Sequence, residues 1–288
     1  MNSLSDNTDL EKAARRARAN LLTSIYLAGS GHPGGSLSAV DLLTYLWLRE
    51  MRPGTGRDGD GDRFVLSKGH ACPALYAVAC EAGLLPYREL AGLRRLGSPL
   101  QGHPHVLDLA WVGSSTGSLG QGFSAAIGMA LGLRHLGSAA RVYVLLGDGE
   151  LQEGEVWEGA MCAGHYRLDN LCAVVDYNRL QSDDSNENIM GLEPLAAKWQ
   201  AFRWQVEEID GHDFAAIGRA FTRARQTGGQ PTVIIAHTVK GRGVSFMEGL
   251  PQWHGSLKLR PEDLRTALTE LGRPETEIGR CLDGTIWD

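Results

Sequence analysis

Two polar residues that follow apolar segments could together bind a divalent cation. Asp148 follows RVYVLL at 141–146, and Asn178 follows LCAVVDY at 171–177. They stand thirty positions apart, the length of one β-α-β unit, so we expect both side chains at one edge of a parallel sheet. A carboxylate, a carboxamide oxygen and a backbone carbonyl suit Mg²⁺, and phosphate oxygens of a ligand would complete its shell of about six.

The glycines on either side of Asp148 support this interpretation. Gly147 and Gly149 let the backbone approach phosphate groups closely. A GDG sequence alone also fits a plain turn, and it is the spacing to Asn178 that favours a metal site. The dinucleotide motif G-x-G-x-x-G is not satisfied by GDGELQ, because its third glycine is missing.

Four histidines stand in loops beside glycine: His32, His70, His103 and His254. Imidazole exchanges protons near neutral pH, which suits general acid-base catalysis. A lone loop histidine is usually only solvated, so these four need a wider context to be assigned a role. We interpret the other five as structural: His105, His135, His165, His212 and His237.

Alternating strands and helices must position these loops. Apolar runs predict strands at 64–67, 141–146, 171–177 and 232–239, and WQVEEID at 204–210 is interpreted as a further strand. Helical spacing predicts helices at 9–28, 38–51, 155–166 and 213–226. This order predicts an α/β fold, one doubly wound parallel sheet flanked by helices.

Three local expectations accompany this fold. The segment GSGHPGGS at 29–36 is interpreted as a break, with Ser38 capping the next helix. The polar tail after about residue 270 is expected to be loosely ordered. The first helix carries three arginines that we expect on a solvated face: Arg15, Arg16 and Arg18.

Composition narrows the functional class. The chain has 288 residues, of which 43% are hydrophobic, and a net charge of -6, so no basic surface for nucleic acid is implied. The five cysteines form no C-x-x-C pair, which indicates reduced thiols and a cytoplasmic protein. The N-terminal twenty residues contain no apolar core typical of a signal peptide, and no apolar run approaches the length of a membrane-spanning helix.

Seven segments, in order from about residue 10 to 260, resemble the transketolase family. They are SGHPGG at 30–35, LSKGHA at 66–71, GHP at 102–104, STGSLGQG at 115–122, LLGDGELQEGEVWEG at 145–159, NRLQSD at 178–183 and KGRGVSFMEGLPQWHG at 240–255. The resemblance implies a thiamine-diphosphate-binding fold, with thiamine diphosphate and Mg²⁺ as cofactors. It implies metal ligation by Asp148, Asn178 and the carbonyl of Leu180.

The resemblance also implies roles for other residues. Catalytic roles are implied for His32, His70, His103, His254 and Glu153, with His32 and His103 in the substrate channel. Cofactor contacts are implied for His70, Gly117, Leu119, Gly147, Asp148, Gly149, Glu158, Asn178, Gln181, Lys240 and His254. Glu153 and Glu158 resemble glutamates of a proton relay, although both also fit a solvated acidic helix start. NRLQSD is one residue shorter than some family versions of this segment, so the match at Gln181 is less close than at the other implied positions.

The expected domain organisation is a cofactor-binding domain over 10–265 and a C-terminal tail over 266–288. Transketolases continue into a pyrimidine-binding domain, which supplies the glutamate that activates the cofactor. We expect that domain and the C-terminal domain on a separate chain. The expected assembly is an α2β2 heterotetramer, in which this chain is the N-terminal subunit.

The expected function is transfer of a two-carbon ketol unit from a ketose or its phosphate to an acceptor. An alternative is a subunit like that of the 2-oxo acid dehydrogenases, or a hybrid, that passes the unit to a lipoyl group. The four histidines favour the sugar substrate. A further alternative is a regulatory subunit that binds cofactor without turnover. Ketose phosphate and pyruvate, tested as donors, would separate the first two.

Overall fold

The structure is a computed structural model that describes residues 6–52, 54, 60–255 and 258–288. The chain divides into two compact units. The helical unit, as far as it is described, comprises Met1–Arg49, His70–His103 and Val239–Asp288. The sheet unit comprises Glu50–Gly69 and Pro104–Thr238.

The sheet unit contains a five-stranded sheet in the order β1-β2-β3-β7-β6, in which every neighbouring pair is parallel. Its strands are β1 (Arg63–Leu66), β2 (Val142–Gly147), β3 (Leu171–Tyr177), β6 (Gln205–Asp210) and β7 (Thr232–His237). All five predicted strands are confirmed to within two residues at each end. The strands β2 and β3 are the easiest to recognise, because they are buried along their whole length and consist almost entirely of apolar residues.

Helices cover both faces of this sheet. The helices of the unit are α4 (Gln121–His135), α5 (Gly154–His165), α6 (Asn186–Met190), α7 (Leu195–Ala201) and α8 (Phe214–Gln226). Val144 of β2 belongs to one buried cluster with Phe123 of α4 and Val156 of α5. Tyr143 points the other way and meets Phe221 of α8, with ring centroids 5.8 Å apart. The predicted doubly wound sheet is therefore confirmed.

A short hairpin follows β3 in the same unit. Its strands are β4 (Leu180–Gln181) and β5 (Asp184–Ser185), which pair antiparallel. The hairpin follows Asn178 directly and carries Leu180 and Gln181, two of the candidate residues.

The helical unit consists of α1 (Asn7–Ala28), α2 (Pro33–Tyr45), α3 (Cys72–Glu81), α9 (Pro261–Glu270) and α10 (Glu275–Asp283). Helix α1 begins where Asp6 accepts a hydrogen bond from the Thr8 N–H, and it ends at Gly29, whose φ is 68°. A π-helical turn over Leu46–Glu50 continues α2. Among the described residues, no helix is long and apolar enough to cross a membrane.

Two expectations for this unit are wrong. The second helix begins at Pro33 rather than at Ser38, because proline is well tolerated in the first turn and the two glycines after it adopt helical geometry. Arg18 is 7% exposed, and its guanidinium bonds both carboxylate oxygens of Asp41. Of the three arginines, only Arg15 and Arg16 lie on the exposed face of α1.

The C-terminal residues are ordered, so the expectation of a loose tail is also wrong. Helices α9 and α10 both contact α1, and α10 buries Ile278 and Cys281. The predicted domain boundary at residue 265 falls inside α9.

Candidate active site

The first group of candidate residues lies where β2 and β3 end. Gly147, the last residue of β2, is in register with Asp176 of β3, so the two strands end side by side. Asp148 follows and is 2% exposed. One of its oxygens accepts the Gly149 N–H at 2.9 Å, and the other accepts the Arg179 N–H. The loops after β2 and β3 therefore meet, as the spacing of Asp148 and Asn178 predicts.

Oxygen atoms are concentrated at this point. The side-chain oxygen of Asn178 accepts the Leu180 N–H at 3.1 Å, which holds the carboxamide inside the turn that carries the Leu180 carbonyl. Burial, together with repulsion from Asp176, raises the pKa of Asp148 to about 6. A cation bound to Asp148 would favour its ionised form and oppose both effects.

The turn after Asp148 packs tightly on the hairpin. A Cβ on Gly149 would lie 2.8 Å from the Cβ of Gln181, closer than side chains tolerate. The amide of Gln181 exchanges hydrogen bonds with the amide of Gln152, one of which measures 2.9 Å. Gln181, a predicted cofactor contact, is thus oriented by Gln152, which the sequence did not single out.

The loop before α4 passes close to the end of β1. A Cβ on Gly69 would lie 2.7 Å from the Thr116 hydroxyl and 3.1 Å from the Gly117 nitrogen. The Thr116 hydroxyl donates to the Leu66 carbonyl at 2.7 Å. Gly117 and Leu119, two of the predicted cofactor contacts, are both partly exposed on this loop.

A buried ion pair beside the loop that carries Asp148 was missed by sequence reasoning. Lys68 and Asp176, 1% and 0% exposed, form a salt bridge. Asp176 also accepts the Thr238 hydroxyl, so its carboxylate links residues at the ends of β1, β3 and β7. The available signal was an aspartate inside an otherwise apolar strand, because carboxylates are rarely buried without a partner.

The second group of candidate residues lies in the helical unit. The rings of His32, His70 and His254 contact one another, with centroid distances of 5.2, 5.7 and 5.3 Å. Lys240 is 2% exposed, and its Nζ lies 2.8 Å from Nδ1 of His254. The structure thus brings together three of the four predicted histidines and the predicted lysine, and we name these four residues the histidine cluster.

Glycines allow the segments that carry these histidines to approach each other. His32 is the N-cap residue of α2. A Cβ on Gly34 would lie 2.7 Å from the Trp253 carbonyl oxygen, and one on Gly255 would lie 2.1 Å from the His32 ring. The WHG segment and the start of α2 therefore need glycine at both positions.

Arg94 is a further member of this environment that sequence reasoning missed. Its guanidinium donates to the Ser30 hydroxyl at 2.5 Å and lies 3.3 Å from Nδ1 of His32. Its backbone φ is 58°, an uncommon conformation for a residue other than glycine. The available signal was its place in LRRLGSPLQGHP, shortly before GHP, but nothing in that pattern separates Arg94 from Arg95.

The charge state of His32 follows from these neighbours. Burial, together with the charges of Arg94, His103 and Lys240, lowers the pKa of His32 to about 4. His32 is therefore neutral near pH 7. Because a guanidinium can only donate, Nδ1 of His32 accepts and its proton resides on Nε2. By the same reasoning, Lys240 donates to Nδ1 of His254.

His103 is more exposed than the three contacting histidines. Desolvation lowers the pKa of His103, with a second contribution from the charge of Arg94. Arg94 thus acts electrostatically on both histidines of the predicted substrate channel.

The two predicted relay glutamates lie at the start of α5. Glu153 is its N-cap residue, and Glu158 lies one turn further along. Both are exposed in this chain.

Comparison with known proteins identifies the family. Residues 10–278 match the model of the transketolase, thiamine diphosphate binding domain. The chain belongs to the transketolase family. The match includes every candidate residue of both groups.

Two relatives from the family are subunits of similar length. The chain is 43% identical over 265 residues to the 6-deoxy-6-sulfo-D-fructose transketolase subunit SqwG of Clostridium sp. (strain MSTE9), covering 91% of this chain and 96% of that protein. It is 40% identical over 247 residues to an apulose-4-phosphate transketolase subunit of Phocaeicola vulgatus, covering 85% of this chain and 88% of that protein.

A solved transketolase from Leishmania mexicana shares the fold. The TM-score is 0.85 at 30% identity, and the alignment covers 96% of this chain. It covers only 44% of the Leishmania chain. Compared with long transketolases, this chain therefore spans less than half the length.

The residues at the ends of β2 and β3 fit the cofactors of a transketolase. They provide a buried carboxylate whose pKa is raised, a carboxamide oxygen and a carbonyl, the hard donors that Mg²⁺ takes. In the part of the chain that the structure describes, no three His, Cys, Asp or Glu side chains are grouped to hold a metal. A Mg²⁺ ion bound by Asp148, Asn178 and Leu180 would take its other oxygen ligands from a diphosphate and water.

Proposed function

We propose that this chain is the N-terminal subunit of a two-chain, thiamine-diphosphate-dependent transketolase, active in the cytoplasm. The carrying observation is coverage: the chain spans 96% of a transketolase subunit but 44% of a long transketolase. The reaction is transfer of a two-carbon ketol unit from a ketose or ketose phosphate to an acceptor. A second chain supplies the pyrimidine-binding domain in an α2β2 heterotetramer.

Each group of residues has a part in this proposal. Asp148, Asn178 and the Leu180 carbonyl hold Mg²⁺, and the flanking glycines approach the diphosphate. Gly117 and Leu119 offer backbone groups to the aminopyrimidine. The buried ammonium group of Lys240 lies by the phosphates of the cofactor. Gln181 also contacts the cofactor. When bound, thiamine diphosphate supplies the electron sink that lets the C2–C3 bond of a ketose break and re-form.

The histidines move protons on the sugar. His32 is neutral at pH 7 and carries its proton on Nε2, so it can donate a hydrogen bond from Nε2 to a substrate oxygen. His103, which is more exposed, serves the same channel. His70 and His254 act near the reacting carbon, where Lys240 keeps the proton of His254 on Nε2. Glu153 and Glu158, exposed on α5, form the proton relay with the second chain.

The metal part of the proposal is tested with Asp148→Asn. The substitution keeps the shape but removes the anionic ligand, so thiamine diphosphate with Mg²⁺ should bind more weakly by at least roughly the 10- to 100-fold lost when groups that only orient metal ligands are replaced. Calorimetric titration of cofactor measures this. Asp210→Asn is the matched control, because Asp210 also ends a parallel strand but is exposed and outside the metal set. Unchanged affinity in Asp148→Asn would show that the metal lies elsewhere.

The subunit part is tested by reconstitution. The chain alone should not transfer ketol units, and activity should appear on adding the neighbouring gene product that carries a pyrimidine-binding domain. Ketose phosphate and pyruvate are compared as donors, and light scattering gives the mass of the complex. Full activity of the chain alone contradicts the two-chain proposal. Activity with pyruvate in place of ketose phosphate contradicts ketol transfer.

A further inference from the structure

Glu150 is a buried carboxylate that the proposed chemistry does not use. It lies in the 3-10 turn after Asp148 and is 2% exposed. Its Oε1 accepts the Ser67 hydroxyl and, at 2.9 Å, the Gly120 N–H. Its Oε2 accepts the Gly147 N–H at 2.9 Å. Both oxygens are therefore engaged, by three neutral donors.

The three donors come from segments that are far apart in the chain. Ser67 directly follows β1, Gly147 ends β2, and Gly120 is the N-cap residue of α4. Packing keeps these segments close, because a Cβ on Gly122 would lie 2.7 Å from the Ser67 hydroxyl. One side chain thus ties together two strand ends and the loop that precedes α4.

A carboxylate is the group that this arrangement requires. Three donors share two acceptor atoms, and a glutamine amide offers a single oxygen. In Glu150→Gln, the amide nitrogen would face either the Gly147 N–H or the other two donors, leaving a buried donor unsatisfied. Burial raises the pKa of Glu150, whereas the three hydrogen bonds oppose that rise.

We propose that Glu150 is a positioning residue that sets the spacing between two loops. One is the Gly147–Gly149 loop and the other is the Gly117–Gly120 loop. This inference rests on the proposed function, in which the first loop serves the metal and diphosphate and the second serves the aminopyrimidine. Through its bonds to Gly147 and Gly120, Glu150 holds the two loops at a fixed separation.

The test uses Glu150→Gln in the chain assembled with its partner, with thiamine diphosphate and Mg²⁺ as probes. The KM for thiamine diphosphate should rise roughly 10- to 100-fold, in the range found for groups that orient metal ligands. The KM for the ketose should be unchanged, and saturating cofactor should restore most of kcat. Glu155→Gln, in the first turn of α5, is the matched control and should behave as wild type.

Two further measurements keep the proposal testable if Glu150→Gln folds poorly. Ser67→Ala removes one donor and should raise the cofactor KM less. Hydrogen exchange of the Gly120 and Gly147 amides should be faster in both variants, and this readout needs no cofactor. An unchanged cofactor KM in a folded Glu150→Gln, or unchanged exchange, overturns the role of Glu150. A wild-type protein that binds no cofactor overturns the proposed function instead, while the exchange rates still report on the two loops.

Discussion

At the scale of single residues, His32 is a neutral imidazole held beside a guanidinium that is always charged. Burial is the larger cause of its lowered pKa, and Arg94 is the next. The contact of 3.3 Å to Nδ1 also fixes the tautomer, which places the proton on the opposite nitrogen. The chain thereby keeps at neutral pH an uncharged hydrogen-bond donor on the side of the ring opposite Arg94.

Replacing Arg94 tests this electrostatic role. In Arg94→Met, the pKa of His32 should move up toward its usual value of 6.5 without reaching it, because burial remains. The pKa of His103 should rise as well. An NMR titration of the imidazole protons measures both. Arg95→Met is the control, since that neighbour is exposed. An unaltered pKa at His32 in Arg94→Met would refute the coupling.

The pKa of His32 also predicts how stability varies with pH. Between pH 6.5 and about 4 the unfolded chain protonates this histidine and the folded chain does not. Acidification through that window therefore favours unfolding, so the free energy of unfolding falls as pH falls. In His32→Gln this fall should be shallower. Urea unfolding at several pH values measures the difference. His105→Gln serves as control, and identical slopes for His32→Gln and wild type would contradict the prediction.

At the scale of elements, the strand ends are joined by buried charge. Asp176 connects β3 to residues after β1 and β7, through Lys68 and Thr238. Glu150 makes a second connection, from the end of β2 to the residue after β1 and to the start of α4. The edge of the sheet that carries the candidate metal ligands is therefore held by side chains as well as by the backbone ladder.

Removing the cation of the buried pair should be costly. Lys68→Met leaves the carboxylate of Asp176 buried without its ion-pair partner, so the free energy of unfolding should fall by about 3–5 kcal/mol. The double variant with Asp176→Leu should recover part of that loss, because the uncompensated charge is gone. Urea unfolding of wild type, single and double variants measures both effects. A double variant less stable than the single one would contradict this account.

The elements differ in how far their sequence predicts them. Although β6 is largely polar, the other four strands are recognisable because each is a largely apolar run bounded by polar turns. The start of α2 is not, since Gly34 and Gly35 suggest a break and only tertiary packing makes them helical. Arg18 is a charge whose burial depends on Asp41, a residue of another helix. Arg94 likewise reaches the site only through the fold of a long loop.

At the scale of the whole molecule, the proposed function requires that two chains share one cofactor. The chain aligns with nearly all of a subunit relative and with less than half of a long transketolase. If thiamine diphosphate is bound by both chains, binding of cofactor and of partner must strengthen each other by the same factor.

This reciprocity can be measured. The Kd of thiamine diphosphate, with Mg²⁺ present, should decrease when the partner chain is added, by roughly 5- to 150-fold if the coupling is of ordinary size. Sedimentation should show that cofactor tightens the association of the two chains to the same extent. Asp148→Asn should weaken the coupling in both experiments. If the Kd of thiamine diphosphate does not change when the partner chain is added, this chain alone holds the cofactor.

The helical unit is assembled from stretches at opposite ends of the chain, which matters while the chain is being made. Helix α1 contacts α9 and α10, which begin at residues 261 and 275. At about 5–20 residues per second, a ribosome needs roughly 12–50 seconds to reach them after completing α1. Throughout that time part of the apolar surface of α1 lacks its final cover. The nascent chain should therefore depend on chaperones that shield its first helix until translation has reached the last two.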